Sequence, residues 1–202
     1  LAPYLLALLP LLARVWKELR QAQGYALDTF PIPTCENIRA PRSRLTPGRV
    51  YRGFVLSRRV YFHGFKLHLL VDDGLFVHEV ALTPGSFHDL SSLQVEAGKP
   101  LYLDRGYESY VWEDVLREAT GVEVMPIRKR RCSFRRKPWS KRYVPWLQYL
   151  AIVGRREVET VGGMLNNLFP RRIHAVTQEG FVLKFLSFVL AHNIRLITEK
   201  VV

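Results

Sequence analysis

The chain has 202 residues, enough for one large domain or a domain with a small appendage, and its 48% hydrophobic content excludes a chain disordered throughout. Thirty Lys and Arg against eighteen Asp and Glu give a formal net charge of +12. That balance favours a polyanionic partner over a membrane surface, because the basic residues are not gathered on one amphipathic helix.

The first stretch, residues 1–13, is apolar and contains Pro3 and Pro10. It has no basic leader and no small-residue cleavage site, so it does not read as a signal peptide. With Trp16 to Arg20 it reads as a docking helix, and residues 1–23 are expected to be a remnant of, or link to, an upstream segment. Residues 24–202 are expected to form the main domain. A strand should run through Asp28 to Phe30 and stop at Pro31 and Pro33, since proline cannot donate to a central ladder. Residues 34–59 are rich in Arg, Pro and Gly, and read as an exposed basic loop.

From Phe62 to Val71 the pattern alternates, with Phe65, Leu67, Leu69 and Val71 on one face and Lys66, His68 and Leu70 on the other. Asp73-Gly74 predicts a hairpin turn, with a return strand over 75–82. Ser86 with Asp89 predicts a helix start. A short buried strand is expected over 100–104. A helix should follow with Trp112, Val115, Leu116 and Ala119 on its buried face, ended by Gly121. Another strand is expected over 122–125, then helices over about 151–168 and 178–198. Lys184 and His192 interrupt the last apolar run, which reads as a core helix rather than a membrane span. The order of elements predicts an α/β fold, a mixed sheet flanked by helices of the ribonuclease H-like type.

Three carboxylates carry the chemistry. Asp28 and Asp104 each close a short apolar strand, and Glu159 lies on a helical pattern. Carboxylates at strand ends in a basic protein suit Mg²⁺, which takes oxygen ligands together with substrate phosphates. A pair of such ions would activate the attacking oxygen and stabilise the leaving oxygen of a phosphodiester. On the helix, Val158, Val161, Leu165 and Leu168 form the buried stripe, flanked by both Glu157 and Glu159, so periodicity does not choose between them. The neighbours favour Glu159, which shares a face with Arg155, Gly162, Gly163 and Asn166. Two adjacent helical glycines cost about 1 kcal/mol each, and a face so stripped of bulk suits a nucleic-acid backbone.

At these residues the sequence resembles the DDE transposases of bacterial insertion sequences. The pieces are Asp-Thr-Phe-Pro-Ile-Pro at the first strand, Tyr-Phe-His-Gly-Phe-Lys-Leu-His-Leu at the second, and then Leu-Thr-Pro-Gly-Ser-Phe-His-Asp. Leu-Asp-Arg-Gly-Tyr, Pro-Ile-Arg-Lys and Arg-Arg-Glu-Val-Glu follow in the family's order. The resemblance implies a ribonuclease H-like core in which Asp28, Asp104 and Glu159 are catalytic and bind two Mg²⁺ ions, with Mn²⁺ able to substitute. It implies cleavage and strand transfer at the element's ends, DNA as partner, a homodimer assembled on DNA, and a place in the bacterial cytoplasm at the nucleoid. The family's Tyr-Arg-Glu-Lys pattern is half met. Arg155 stands four before Glu159, but Ile152 replaces the tyrosine and Asn166 the lysine. The alternatives are a structure-specific nuclease of the same fold and a DNA-binding remnant without activity.

Lys66, His68, Arg105 and Arg155 are candidate DNA contacts, and Asp89 either supports the metal site or caps a helix. Residues 128–145 are expected to be a basic loop. Its first fifteen residues hold nine Lys and Arg, with Phe134 and Trp139 among them. Within it, Arg130, Arg131, Arg135 and Arg136 are the expected phosphate contacts. Zinc through His63, His68, His78 and His88 lacks tight ligand spacing. Cys35 and Cys132 form no Cys-x-x-Cys pair, so a cysteine zinc site is not expected and a reducing compartment is.

Overall fold

The computed structural model describes residues 2–55, 59–86, 98–105, 110–128, 143–169, 173 and 175–201. Within them lies a six-stranded mixed sheet: β1 (Tyr25–Cys35), β2 (Arg52–Val55), β3 (Val60–Asp72), β4 (Val77–Pro84), β5 (Pro100–Leu103) and β6 (Glu123–Pro126). The long β3 holds antiparallel β1 along one edge, and β2 then β4 along the other. β1, β5 and β6 run parallel to one another. The helices are α1 (Ala2–Leu19), α2 (Tyr110–Thr120), α3 (Pro145–Gly154), α4 (Arg156–Leu168) and α5 (Gln178–Val201).

The alternation of β3 sorts the core into two layers. Leu67, Leu69 and Val71 face Val158, Val161 and Leu165 of α4 and Phe185, Val189 and Leu190 of α5, with Leu9 of α1 at the margin. Leu70 turns the other way and joins Tyr25, Leu27, Leu101, Leu103 and Val124, against which Leu116 of α2 packs. Both faces are covered, as an α/β sheet with parallel strands requires.

Several expectations are corrected. β1 does not stop at Pro31; it continues to Cys35. Its partner β5 reaches only Leu27, so beyond that point one edge has no strand partner among the described residues. Pro31 and Pro33 fall in the same phase of the ladder, where a missing N–H breaks no central pairing. Residues 34–59 are not one loop. They contain the end of β1, short 3-10 turns at Asn37–Arg42 and Arg49–Tyr51, and the strand β2. Proline does not divide α1 either, which is one helix with Pro10 inside and Trp16 buried at its far end. At the β3–β4 hairpin the left-handed residue is Leu75 (φ 67°), not Gly74. Asp72 holds this turn by accepting from the N–H of Gly74 (2.8 Å) and of Phe76 (3.0 Å), and from Trp16 Nε1 (2.6 Å).

On α2 the buried side runs through Glu113 and Leu116, whereas Val115 and Ala119 are exposed. Glu113 is enclosed because Arg128 meets it with two bonds, Nη2 to Oε2 at 2.7 Å and Nη1 to Oε1 at 3.2 Å. Arg128 is therefore a buried anchor and not the start of a basic loop; its N–H also donates to Gln148 Oε1 at 2.6 Å. The expected helix start at Ser86 leads into residues outside those described. α5 packs its apolar face inward, and its polar interruptions have partners. Asn193 bonds both the N–H and the carbonyl of Val77, and His192 Nε2 lies 2.9 Å from Leu75 O.

Candidate active site

Asp28 and Asp104 meet because β1 and β5 lie side by side and parallel. Tyr25, Ala26 and Leu27 of β1 pair with Leu101, Tyr102 and Leu103 of β5, so Asp104, just past the end of β5, lies beside Asp28. Asp28 does not close its strand as expected: it stays in the sheet, paired with Leu69 of β3, and is the first residue of β1 beyond the pairing with β5. Strand alternation puts both carboxylates on the face of Ala26 and Tyr102, the one that α4 covers.

The helix expected over 151–168 is two helices, broken at Arg155. Gly154, the last residue of α3, lies against the Tyr102 ring so closely that a Cβ there would overlap it. This contact brings the chain down onto β5 two residues before Asp104. Arg155 then reaches both Asp28 and Asp104. Its Nη2 lies 2.5 Å from Asp28 Oδ2 and 3.6 Å from Glu159 Oε1, and its Nη1 lies 3.2 Å from Asp104 Oδ1. One guanidinium thus gathers three carboxylates from β1, β5 and α4.

The electrostatics are uneven. The Asp28 and Arg155 side chains are 15% and 12% exposed, while Asp104 and Glu159 are 46% and 59% exposed. Burial raises the Asp28 carboxyl above the ordinary aspartate range, and the Arg155 charge and the Thr29 N–H offset this only in part. Three carboxylates against one guanidinium leave the cluster short of positive charge. Among the described residues no three His, Cys, Asp or Glu side chains gather closely enough to ligate one ion. The carboxylates converge on Arg155 instead. The donors are nonetheless hard oxygens already arranged around a cationic group, and that donor set fits a divalent ion such as Mg²⁺.

The choice between Glu157 and Glu159 is visible in the geometry. Glu159 is on the Arg155 side. Glu157 turns away, into a separate cleft of about 160 Å³ shared with Asp73, Tyr25, Tyr102 and Val153. Burial raises its carboxyl above the usual glutamate range. The two helical glycines also part company. A Cβ on Gly162 would lie 2.5 Å from the Phe30 ring, so that glycine serves helix–strand packing and not the approach of a nucleic acid. Gly163 has nothing within 4 Å of the same position.

Two other candidates lie apart from the carboxylates. Lys66 and His68 project from the opposite sheet face. Lys66 is half-buried, with its ammonium pKa lowered by desolvation, and His68 is buried with Nε2 2.9 Å from Thr83 Oγ1. Arg105 is exposed directly after Asp104, and Ile152 and Asn166 are both exposed. His63 Nε2 lies 2.8 Å from Thr46 O, and His78 Nε2 lies 3.0 Å from Asp72 Oδ2. Asp89, His88, Cys132, Phe134, Trp139, Arg130, Arg131, Arg135 and Arg136 lie outside the described residues. The sequence reading missed the Glu113–Arg128 pair and the role of Gly154. A glutamate among the apolar positions of α2 was the available signal for the first.

Comparison with known families assigns the chain. The transposase DDE domain model matches residues 20–172, about three quarters of the sequence, and the chain belongs to that family. Its six-stranded mixed sheet flanked by helices is the ribonuclease H-like arrangement of such a domain. Neither curated proteins nor solved structures gave a match. Membership assigns a transposase role in general, with DNA as partner and divalent metal ions as the usual cofactor of the family.

Proposed function

We propose that the protein is the transposase of a bacterial insertion sequence, cutting a phosphodiester at the element's end and joining the freed 3′-hydroxyl to target DNA. The observation that supports this reading most directly is the meeting of Asp28, Asp104 and Glu159 around Arg155. On it, Asp28, Asp104 and Glu159 hold two Mg²⁺ ions, or Mn²⁺ in their place. Such ions lower the pKa of the attacking oxygen and stabilise the leaving one. The chain's own groups do the rest. Asp28, fixed by Thr29 N–H at 2.8 Å, is the least mobile donor, and Asp104 and Glu159 approach from the open side. Arg155 neutralises the carboxylates and so lowers the repulsion that a phosphate meets on arrival. Arg105 is exposed beside Asp104 and suits a phosphate contact. The net charge of +12 supports DNA binding. Assembly as a homodimer on DNA and work at the nucleoid in the cytoplasm belong to the same transposase reading.

Asp28→Asn, Asp104→Asn and Glu159→Gln should each abolish Mg²⁺-dependent cleavage of a pre-bound DNA end while leaving DNA binding intact. In parallel, Mn²⁺ titration followed by calorimetry should lose most of its heat in Asp28→Asn. Cleavage by all three variants would refute the mechanism. Binding without cleavage by the wild type, with no Mn²⁺ heat, would favour a DNA-binding remnant. Cleavage without strand transfer would favour a nuclease.

A further inference from the structure

The strongest surface feature apart from the carboxylates is the sheet end formed by β2 and the start of β3. Phe54 and Tyr61 face each other across these strands, with ring centroids 4.7 Å apart, and are 41% and 51% exposed. The Arg52 guanidinium sits over the Tyr61 ring at 4.4 Å. In the segment leading into β2, Arg39, Arg42, Arg44, Arg49 and Arg52 are all exposed, as is Arg59 just before β3, and Glu36 is the single acidic residue between positions 34 and 61. Ordinary solubility does not need such an excess. The Tyr61 face also gives Arg52 a fixed seat, which reduces the entropy lost when its fork meets a phosphate.

Position adds a second argument. Asp28 pairs with Leu69, and Tyr61 lies eight residues earlier on the same strand. At about 3.3 Å per residue that is roughly 26 Å. By strand parity Tyr61 is on the face of β3 that also carries Leu67 and Leu69, where α4 and α5 cover the sheet between it and the carboxylates. A duplex held at the carboxylates, rising about 3.4 Å per base pair, would pass outside those helices and reach this surface no fewer than about seven or eight base pairs away.

We propose that the β2–β3 end of the sheet is a second DNA contact, which grips the phosphates of the duplex flanking the cut and takes no part in the chemistry. The proposal rests on the transposase reading for its occupant. A second copy of the chain on the open edge of β2 is the competing occupant. It would set two arginine clusters against each other, and charged edges resist strand pairing.

Binding of a mixed-sequence DNA duplex, followed by fluorescence anisotropy across a salt series without divalent ions, tests it. Each phosphate contact adds about 0.9 to the slope of log affinity against log salt. Replacing Arg39, Arg42, Arg49 and Arg52 with Gln should flatten the slope by about two to four units. Arg195→Gln, on the exposed far end of α5, should leave it unchanged. Tyr61→Ala should weaken binding about as much as Arg52→Gln, and Tyr61→Phe should restore it. An unchanged slope in the fourfold variant overturns the contact and leaves the transposase reading standing. A smaller sedimenting species for Phe54→Ala/Tyr61→Ala, with the slope unchanged, assigns the surface to a second copy and also overturns it. No duplex binding by the wild type would sink both readings, whereas cleavage by Asp28→Asn bears on the transposase reading alone.

Discussion

Arg128 and Arg155 are both enclosed and both paired with carboxylates, yet they sit in opposite electrostatic situations. Arg128 meets Glu113 through two bonds, and each side chain is 3% exposed. Its charge is matched and solvent is shut out. Arg155 meets three carboxylates, two of them about half exposed, and Asp28 is held with a raised pKa despite its partner. A closed and balanced pair joins α2 to the segment after β6. An open cluster short of positive charge invites another cation. Ion pairing alone therefore says little about function; the ratio of charges and the access of solvent say more.

The largest expected effect breaks the closed side of this comparison. Glu113→Ala removes the carboxylate that meets the buried Arg128 guanidinium through two bonds, which should cost about 3–5 kcal/mol by chemical denaturation. Replacing both, as Glu113→Leu with Arg128→Met, should recover most of that loss, because well-packed apolar groups can replace a buried pair. Arg155→Ala should cost less, since Asp104 and Glu159 reach solvent. Added Mg²⁺ should raise the melting temperature of Arg155→Ala more than that of Glu113→Ala, in which the Arg155 guanidinium still balances part of the carboxylate charge. Equal responses of the two variants to Mg²⁺ would erase the distinction.

The same contrast between closed and open positions separates the glycines of α4. Gly162→Ala gains up to about 1 kcal/mol of helix propensity but forces a Cβ into the Phe30 ring, and overpacking costs about 1–3 kcal/mol. A net loss of about 1–2 kcal/mol is expected in thermal unfolding. Gly163→Ala meets nothing and should gain up to about 1 kcal/mol. A stabilised Gly162→Ala would mean that the Phe30 ring yields easily.

These positions also mark what could be read from the sequence. The strand at 62–71, the short strand before Asp104 and the helical pattern around Glu159 were legible because each is a local pattern of period 2 or 3.6, whereas Asp28 proved to lie within β1 and not at its end. Both layers of the core follow from the alternation of β3. The adjacency of Asp28 and Asp104 was not legible, because it depends on a parallel pairing between residues more than seventy positions apart. The break at Arg155 was hidden for a similar reason. Gly154 reads as one more helical residue until the Tyr102 ring is known to lie against it. Gly162 and Gly163 look alike in sequence and differ only in what β1 places opposite one of them. Arg128 looked like the first of a basic run, and its burial depends on Glu113 fifteen residues earlier.

Glu157 tests the comparison most finely, being a carboxylate on the same helix that turns away from Arg155 into the Tyr102 cleft. Its Oε2 is enclosed without a hydrogen-bond partner among the described residues, and burial raises its pKa, with the Asp73 charge adding to the effect. The folded protein therefore holds this proton more tightly than the unfolded chain does. Stability is greatest below the unfolded glutamate pKa and falls as pH rises through the raised folded value. Glu157→Gln removes that dependence. The denaturation midpoints of wild type and variant should coincide in acid and separate above the glutamate range, with the variant the more stable. The difference should stay below about 1 kcal/mol, because the carboxylate is partly solvated and screened. Mg²⁺-dependent cleavage should persist in this variant, since Glu157 faces the Tyr102 cleft and not Asp28. Loss of cleavage with an unchanged pH profile of stability would move the third carboxylate from Glu159 to Glu157, and would mean that α4 turns when DNA is bound.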